Sequence, residues 1–156
     1  MRILMVCLGN ICRSPIAEGV LQHKADLKGL GWVVESAGTE SYHIGEPPHR
    51  LSQKICIENG IDISHQRARK FTRADVGRYD LIYAMAEDVL REIQLSTSSV
   101  GSDTHIRLFL EELNPGMSES VPDPYYGGED GYHHVFDLVN RTCDAIIDRY
   151  AYRAGN

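Results

Sequence analysis

The chain carries the stretch C-L-G-N-I-C-R-S-P at residues 7–15. The apolar run before it, residues 3–6, predicts a buried strand. The Ser-Pro pair that ends it is typical of a helix start, with a polar cap followed by a proline at the first helical position. Cys7 and Arg13 are therefore expected at the two ends of a tight strand-to-helix loop. Such a loop can turn its N–H groups inward and form an anion-binding nest at a helix N-terminus.

The residue types in this loop suit phosphoryl transfer. A cysteine reacts as its thiolate, and inward N–H groups, the helix dipole and Arg13 would all favour that charged form at Cys7. The same donors would bind the equatorial oxygens of a phosphoryl group while the sulfur attacks in line. Arg13 pairs with two phosphate oxygens at once through its planar fork. Ser14 could donate a hydrogen bond to the sulfur and stabilise it as a leaving group.

The backbone of the loop has two further cues. Gly9 allows a close turn, and Asn10 tolerates a left-handed conformation. A simpler interpretation stays open at this point, because a cysteine after an apolar strand is often only a small buried residue. The complete string between a predicted strand and a predicted helix start favours the functional interpretation.

Strands and helices alternate along the rest of the chain. The predicted strands cover residues 3–6, 32–36, 79–85 and 106–110, and the predicted helices cover about 15–28, 49–59, 87–93 and 131–150. A capping box at residues 72–75 predicts one more short helix. Since no repeat or linker interrupts this order, we expect a single α/β domain over residues 1–156. Its sheet should be mostly parallel with helices on both faces, and ligands should bind at the carboxyl ends of the strands.

Composition narrows the function classes. The chain has 156 residues, of which 42% are hydrophobic and 24% charged, as in globular proteins. A formal charge of −6 argues against general nucleic-acid binding. No apolar run approaches the roughly 20 residues of a membrane span, and no signal peptide is evident, so we expect a cytoplasmic protein. The scattered cysteines and histidines predict neither a disulfide framework nor a zinc site.

Beyond the loop, the chain resembles the low-molecular-weight protein tyrosine phosphatases. The shared motifs are the C-x5-R-S loop, S-A-G-T at 36–39, I-G at 44–45, S-H at 64–65 and D-P-Y-Y-G at 123–127. The resemblance implies a three-layer fold with a four-stranded parallel sheet flanked by helices, and catalysis without a metal or cofactor. It also implies phosphotyrosine proteins as substrates, a bacterial tyrosine kinase that controls surface polysaccharide being one example. The oligomeric state stays open.

The resemblance assigns roles outside the loop. Asp123 is identified with the general acid that protonates the departing phenolate, although from residue types alone Asp-Pro is merely a frequent turn signal. Tyr42 and Tyr125 would flank the entrance and sandwich the ring of the substrate. Ser36 and His65 would support the loop asparagine. The phosphate-binding positions would be Leu8, Gly9, Asn10, Ile11, Cys12 and Ser14.

Three positions bear on subclass. Ile11 stands where phosphoarginine-specific relatives have threonine, so the resemblance favours phosphotyrosine. Cys12 lies near enough in sequence to Cys7 for a disulfide that would protect the nucleophile, although a passive second thiol is an equal alternative. Ala86 stands where many relatives have an aspartate, which leaves the tuning of the general acid open.

Three other functions are possible for a chain with such a loop. A thiol-dependent arsenate reductase would share the fold and the loop, but such enzymes use a further cysteine pair, and residues 75–95 contain no cysteine. A silent phosphate-binding module would need no nucleophile. A nucleotide-binding enzyme is disfavoured because the loop has neither the G-x-G-x-x-G order nor the G-K-[ST] ending.

Overall fold

The computed structural model describes residues 1–97, 105–125 and 127–154. Tyr126 of the D-P-Y-Y-G motif lies outside the described residues. The strands are β1 (Arg2–Cys7), β2 (Val33–Gly38), β3 (Leu81–Ala84) and β4 (Ile106–Leu108). The α-helices are α1 (Arg13–Leu27), α2 (Arg50–Glu58), α3 (Glu87–Thr97) and α4 (Glu129–Ala154), and short 3-10 helices span Arg73–Gly77 and Phe109–Glu112.

The four described strands form one parallel sheet in the order β2-β1-β3-β4. The chain therefore leaves β1 toward one side for β2 and crosses to the other side for β3. Parallel sheets bind ligands at such a switch point, outside the carboxyl ends of the strands. The loop after β1 lies there, in agreement with the predicted α/β class and the predicted place of the site.

Side chains of β1 alternate between two buried layers, as expected for a strand covered on both faces. Ile3 and Met5 belong to the cluster formed with α1, α2 and α4. Leu4 and Val6 belong to the cluster formed with α3 and the first 3-10 helix. The sheet thus has helices on both faces, and the start of α1 is fixed against it directly behind the loop.

Several element bounds differ from the sequence prediction. Helix α1 begins at Arg13, so Pro15 is its third residue and not its first; it still lies in the first turn, where an N–H is not needed. Strand β4 ends at Leu108, and Phe109 begins a 3-10 helix. Phe109 is fully buried against Tyr83, with ring centroids 5.8 Å apart. An apolar run cannot distinguish a strand from such a buried turn.

The predicted capping box is confirmed. The Thr72 N–H donates to the Asp75 carboxylate over 2.8 Å at the start of the Arg73–Gly77 3-10 helix. Within the described residues, no helix combines the length and the apolarity that crossing a membrane requires.

Candidate active site

Residues 8–12 connect the end of β1 to the start of α1, and the carbonyl groups of Cys7, Leu8, Ile11 and Cys12 accept hydrogen bonds from the surrounding structure. Three backbone N–H groups donate to these carbonyls, from Thr39 to Cys7 O, from Glu40 to Leu8 O and from His49 to Ile11 O. The Ser52 hydroxyl donates to Cys12 O, and the four distances are 2.8–3.2 Å. Within the described part of the chain, the N–H groups of residues 8–12 have no protein acceptor. This arrangement matches the predicted anion-binding nest.

Asn10 fixes the shape of the loop from inside. Its φ is +60°, the left-handed conformation that asparagine tolerates, and it is 3% exposed. Its Nδ2 donates to Ser14 Oγ over 2.8 Å and to Ser36 Oγ over 2.9 Å, while its Oδ1 accepts from the Arg69 N–H over 3.0 Å. Asn10 therefore supports the loop from beneath.

Cys7 lies next to Ser14, with 3.0 Å between Sγ and Oγ. Because Ser14 Oγ already accepts from Asn10, its hydroxyl hydrogen is free to point at the sulfur. The contact expected between the serine and the sulfur is therefore present, in a geometry that stabilises negative charge on the sulfur.

Gly38, at the end of β2, permits the loop to approach the sheet. A Cβ on this residue would lie 2.8 Å from Leu8 O and 3.1 Å from Asn10 N, closer than a side chain tolerates. Gly38 is not among the site residues predicted from the sequence. The signal was its place in the S-A-G-T motif, directly after a predicted strand.

Arg13 and Asp123 meet at the other side of the loop. Arg13 is 5% exposed, and its Nη1 donates to Val121 O over 3.1 Å. Its Nη2 lies 3.8 Å from Asp123 Oδ2. The second carboxylate oxygen of Asp123 accepts from the Tyr125 N–H over 3.0 Å, which fixes the turn that carries both residues.

These residues surround a cavity of about 180 Å³. The predicted site residues that line it are Cys7, Leu8, Gly9, Ile11, Cys12, Arg13, Tyr42, Asp123 and Tyr125. Tyr42 and Tyr125 are 72% and 41% exposed, so they lie at its mouth. Asn10, Ser14 and Ser36 lie behind the loop and not in the cavity wall.

Three aromatic residues near the cavity were not predicted as site residues. His43 lines the cavity, with its ring centroid 6.1 Å from that of Tyr125 and its Nδ1 2.9 Å from Glu46 Oε2. His49 contacts Tyr125 edge-on at 5.9 Å and stacks on Tyr132 at 5.2 Å. Burial lowers the pKa of His49. Their spacing in the sequence carried no signal, because the fold alone brings them together.

The thiol of Cys12 is buried, and its Sγ lies 3.4 Å from the Tyr132 hydroxyl. Burial raises the pKa of Cys12 to about 11 and that of Cys56 to about 12. These two thiols are therefore neutral near pH 7. All four cysteines are free.

His65 does not contact Asn10, although the resemblance implied that it would. Both hydrogens of the Asn10 amide are taken by Ser14 and Ser36, and its oxygen accepts from Arg69. His65 is exposed and lines a different cavity, beside Glu18. The expected contact is therefore corrected: Ser36 supports Asn10 and His65 does not.

Metal binding has no support in the described residues, where no group of three or more His, Cys, Asp or Glu side chains is arranged to hold an ion. Ala86, at the position that the resemblance marked as unusual, is buried next to Met85 and adds no carboxylate to the site.

Comparison with known proteins agrees with this geometry. A family model described as "Low molecular weight phosphotyrosine protein phosphatase" matches residues 2–152. The low molecular weight phosphotyrosine protein phosphatase of Schizosaccharomyces pombe is 40% identical over 134 residues, which cover 84% of this chain and 85% of that protein.

Two solved structures are also similar. The crystal structure of YfkJ from Bacillus subtilis has a TM-score of 0.90 and 32% identity, and the match covers 98% of this chain and 96% of that one. A Drosophila arginine phosphatase has a TM-score of 0.89 and 29% identity, with 96% and 98% covered.

Proposed function

Because this chain belongs to the low molecular weight phosphotyrosine protein phosphatase family, we propose that it hydrolyses phosphotyrosine in proteins through a cysteinyl-phosphate intermediate. The observation that carries this proposal is that Cys7, Arg13 and Asp123 line one cavity, while the N–H groups of residues 8–12 have no acceptor among the described residues.

In the first step, the loop N–H groups and Arg13 bind the nonbridging oxygens of the phosphoryl group. The Cys7 thiolate attacks phosphorus, so that an S–P bond forms as the P–O bond to the phenol breaks. Asp123, as the acid, gives its proton to the departing oxygen. The 3.8 Å between Arg13 Nη2 and Asp123 Oδ2 supports these roles, because the acid must act next to the group that binds phosphate.

In the second step, water attacks the phosphocysteine. The carboxylate of Asp123 takes a proton from the water, and the S–P bond breaks to release inorganic phosphate. The electron pair returns to the Cys7 sulfur, where the Ser14 hydroxyl at 3.0 Å stabilises the thiolate. The enzyme is thereby restored without any cofactor.

The mouth of the cavity favours an aryl ester. Tyr42 and Tyr125 would hold the ring of the substrate between them, which contributes about 1 kcal/mol beyond area burial. His43 adds a third ring on the same rim. Because an arginine phosphatase shares this fold, the fold alone does not select the substrate. Ile11 in the cavity wall supports phosphotyrosine over phosphoarginine.

The arsenate reductase alternative gains no support. Such an enzyme needs further accessible thiols to relay electrons, whereas Cys56 and Cys143 are both fully buried. Family membership implies phosphoprotein substrates; that these include a tyrosine kinase, and that the enzyme acts in the cytoplasm, are parts of the proposal.

The test compares p-nitrophenyl phosphate, a phosphotyrosine peptide and a phosphoarginine peptide as substrates. We expect hydrolysis of the first two, with the phosphotyrosine peptide strongly preferred over the phosphoarginine peptide. Cys7→Ser should abolish turnover and still retain the phosphotyrosine peptide on a pull-down. Full activity of Cys7→Ser, or a preference for phosphoarginine, would overturn the proposal.

A further inference from the structure

A continuous chain of hydrogen bonds leads from the sulfur of Cys7 away from the cavity. Its links are Cys7 to Ser14 (3.0 Å), Ser14 to Asn10 (2.8 Å), Asn10 to Ser36 (2.9 Å) and Ser36 to Glu18 (2.6 Å). The last link is the shortest, as expected for a hydroxyl that donates to a carboxylate. Glu18 on α1 therefore terminates the chain, and nothing in the reaction proposed above uses it.

The chemistry of each group sets the direction of these bonds. The Asn10 amide has two hydrogens, and its Oδ1 is bound by the Arg69 N–H, so Nδ2 must donate to both serines. Ser36 then accepts from Asn10 and sends its own hydrogen to Glu18. Ser14 likewise accepts from Asn10 and is left with its hydrogen for Cys7. An ionised Glu18 can only accept, so it fixes this order at its far end.

We propose that Glu18 is a positioning residue of this phosphatase, whose carboxylate orients Ser36 and Asn10 and thereby holds the Ser14 hydroxyl on the Cys7 sulfur. This inference rests on the proposed function. Its specific content is that a side chain without contact to the substrate sets how well the thiolate is stabilised as the leaving group of the second step.

Protonation of Glu18 removes this control. A carboxylic acid can donate to Ser36 as well as accept from it, and a donated hydrogen would compete with the Asn10 amide for the same oxygen. The hydrogen bond from Ser36 also weakens when the carboxylate loses its charge. The Ser36 end of the chain is then no longer ordered, and Ser36 holds the Asn10 amide less firmly against Ser14.

The surroundings of Glu18 raise its pKa to near neutral pH. Burial raises the pKa of Glu18 to about 7, against the lowering effect of the Ser36 hydrogen bond. The charge of Glu35 raises this pKa further, and that of Arg69 lowers it. Four more titratable residues line the same cavity as Glu18: His23, Asp26, Asp62 and His65.

The test is the ratio of kcat between wild type and Glu18→Gln for p-nitrophenyl phosphate, measured from pH 5.5 to pH 8.5. A ratio cancels the ionisations of the substrate and the general acid, which the two proteins share. Above pH 7 we expect wild type to be about three- to tenfold faster, with KM within about twofold, because Glu18 does not touch the substrate. Toward pH 5.5 the ratio should approach one, with a midpoint near 7.

Asp26→Asn is the matched control. Asp26 lies on the same helix and the same cavity and carries the same charge, but it accepts from Gln22 and not from Ser36. Its kcat ratio to wild type should stay constant with pH. A Glu18→Gln ratio that is equally constant would overturn the role of Glu18, provided that wild type hydrolyses the substrate. Absence of wild-type turnover would instead contradict the proposed function.

A second measurement needs no variant at position 18. The side-chain amide of Asn10 should show an NMR shift that titrates with the carboxyl carbon of Glu18 in the wild-type protein, and Ser36→Ala should uncouple the two. An Asn10 resonance that does not change across the Glu18 titration would contradict the proposed chain.

Discussion

Arg13 and Asp123 lie next to each other in the cavity wall, with Nη2 of the arginine 3.8 Å from Oδ2 of the aspartate. The same guanidinium donates through Nη1 to Val121 O, two residues before the aspartate. Arg13 therefore contacts the segment that carries Asp123, the proposed general acid, as well as closing the loop of residues 8–12. A phosphoryl group bound to Arg13 would lie within reach of Asp123. The arginine side chain would therefore both bind the phosphoryl group and hold the segment of the proposed acid beside it.

Arg13→Lys should lower kcat/KM by about 100-fold or more, because an ammonium cannot reproduce the bidentate contact or hold Val121 at the same time. The measurement is steady-state hydrolysis of p-nitrophenyl phosphate. Arg2→Lys, at an exposed position on β1 away from the cavity, is the control and should leave kcat/KM unchanged. Comparable activity of Arg13→Lys and Arg2→Lys would remove Arg13 from the mechanism.

Asp123→Asn should slow the hydrolysis of phenyl phosphate by about 100- to 10,000-fold. The loss should be smaller for p-nitrophenyl phosphate, since a better leaving group needs less protonation. The measurement is kcat/KM against the pKa of the phenol for both proteins, which should give a steeper dependence in the variant. Equal slopes would show that Asp123 is not the acid. Asp137→Asn, an exposed carboxylate on α4, serves as the control.

Gly38→Ala should impair activity strongly with a smaller effect on folding. The added Cβ would meet Leu8 O at 2.8 Å, so the loop must move away from the geometry that binds phosphate. Gly77→Ala is the matched control, because nothing lies within 4 Å of a Cβ there. We expect weaker inhibition by inorganic phosphate for Gly38→Ala alone. Unchanged kcat and phosphate affinity in that variant would contradict the close approach.

Glu18→Gln should stabilise the protein above neutral pH. The pKa of Glu18 is raised from 4.5 to about 7 in the folded state. Ionising Glu18 therefore costs more free energy in the folded protein than in the unfolded chain, and this difference lowers the free energy of unfolding. This cost is absent below pH 4.5, grows as the pH rises to 7 and is constant above. The variant should therefore gain about 1–3 kcal/mol in urea unfolding at pH 8 and little at pH 4.5. An equal gain at both pH values would show that charge is not its cause.

Alkylation should distinguish Cys7 from the other thiols. The raised pKa values of Cys12 and Cys56, about 11 and 12, keep both neutral at pH 7, and a neutral thiol reacts slowly. Iodoacetate should therefore modify the sulfur of Cys7, which lies next to Ser14. Inorganic phosphate should protect Cys7 from this modification. Peptide mapping by mass spectrometry checks this. Preferential modification of Cys12 would contradict the assignment of the nucleophile.

Much of the fold and the loop could be predicted from the sequence because their signals are local. The apolar run of β1 and the Ser-Pro helix start define the strand–loop–helix unit within residues 3–15. The alternation of elements then gives the α/β class. The left-handed Asn10 follows from the same local chemistry.

The site features that could not be predicted from the sequence depend on contacts between distant segments. Gly38 matters only because Leu8 packs against it, and His43 matters only because its loop folds over the cavity. The resemblance assigned a contact with Asn10 to His65. In the structure, the backbone N–H of Arg69 makes a contact with the Asn10 side chain instead. A backbone donor leaves no trace in residue identity, so no pattern in the sequence could have indicated it.

The most direct test of the central claim is to trap the covalent intermediate. A phosphotyrosine peptide labelled with 32P is mixed with the enzyme, quenched in acid within milliseconds and digested for peptide mapping. We predict label on the peptide that contains Cys7, formed and lost at rates consistent with turnover, and none in Cys7→Ser. Turnover of the peptide without label on Cys7 would contradict the account.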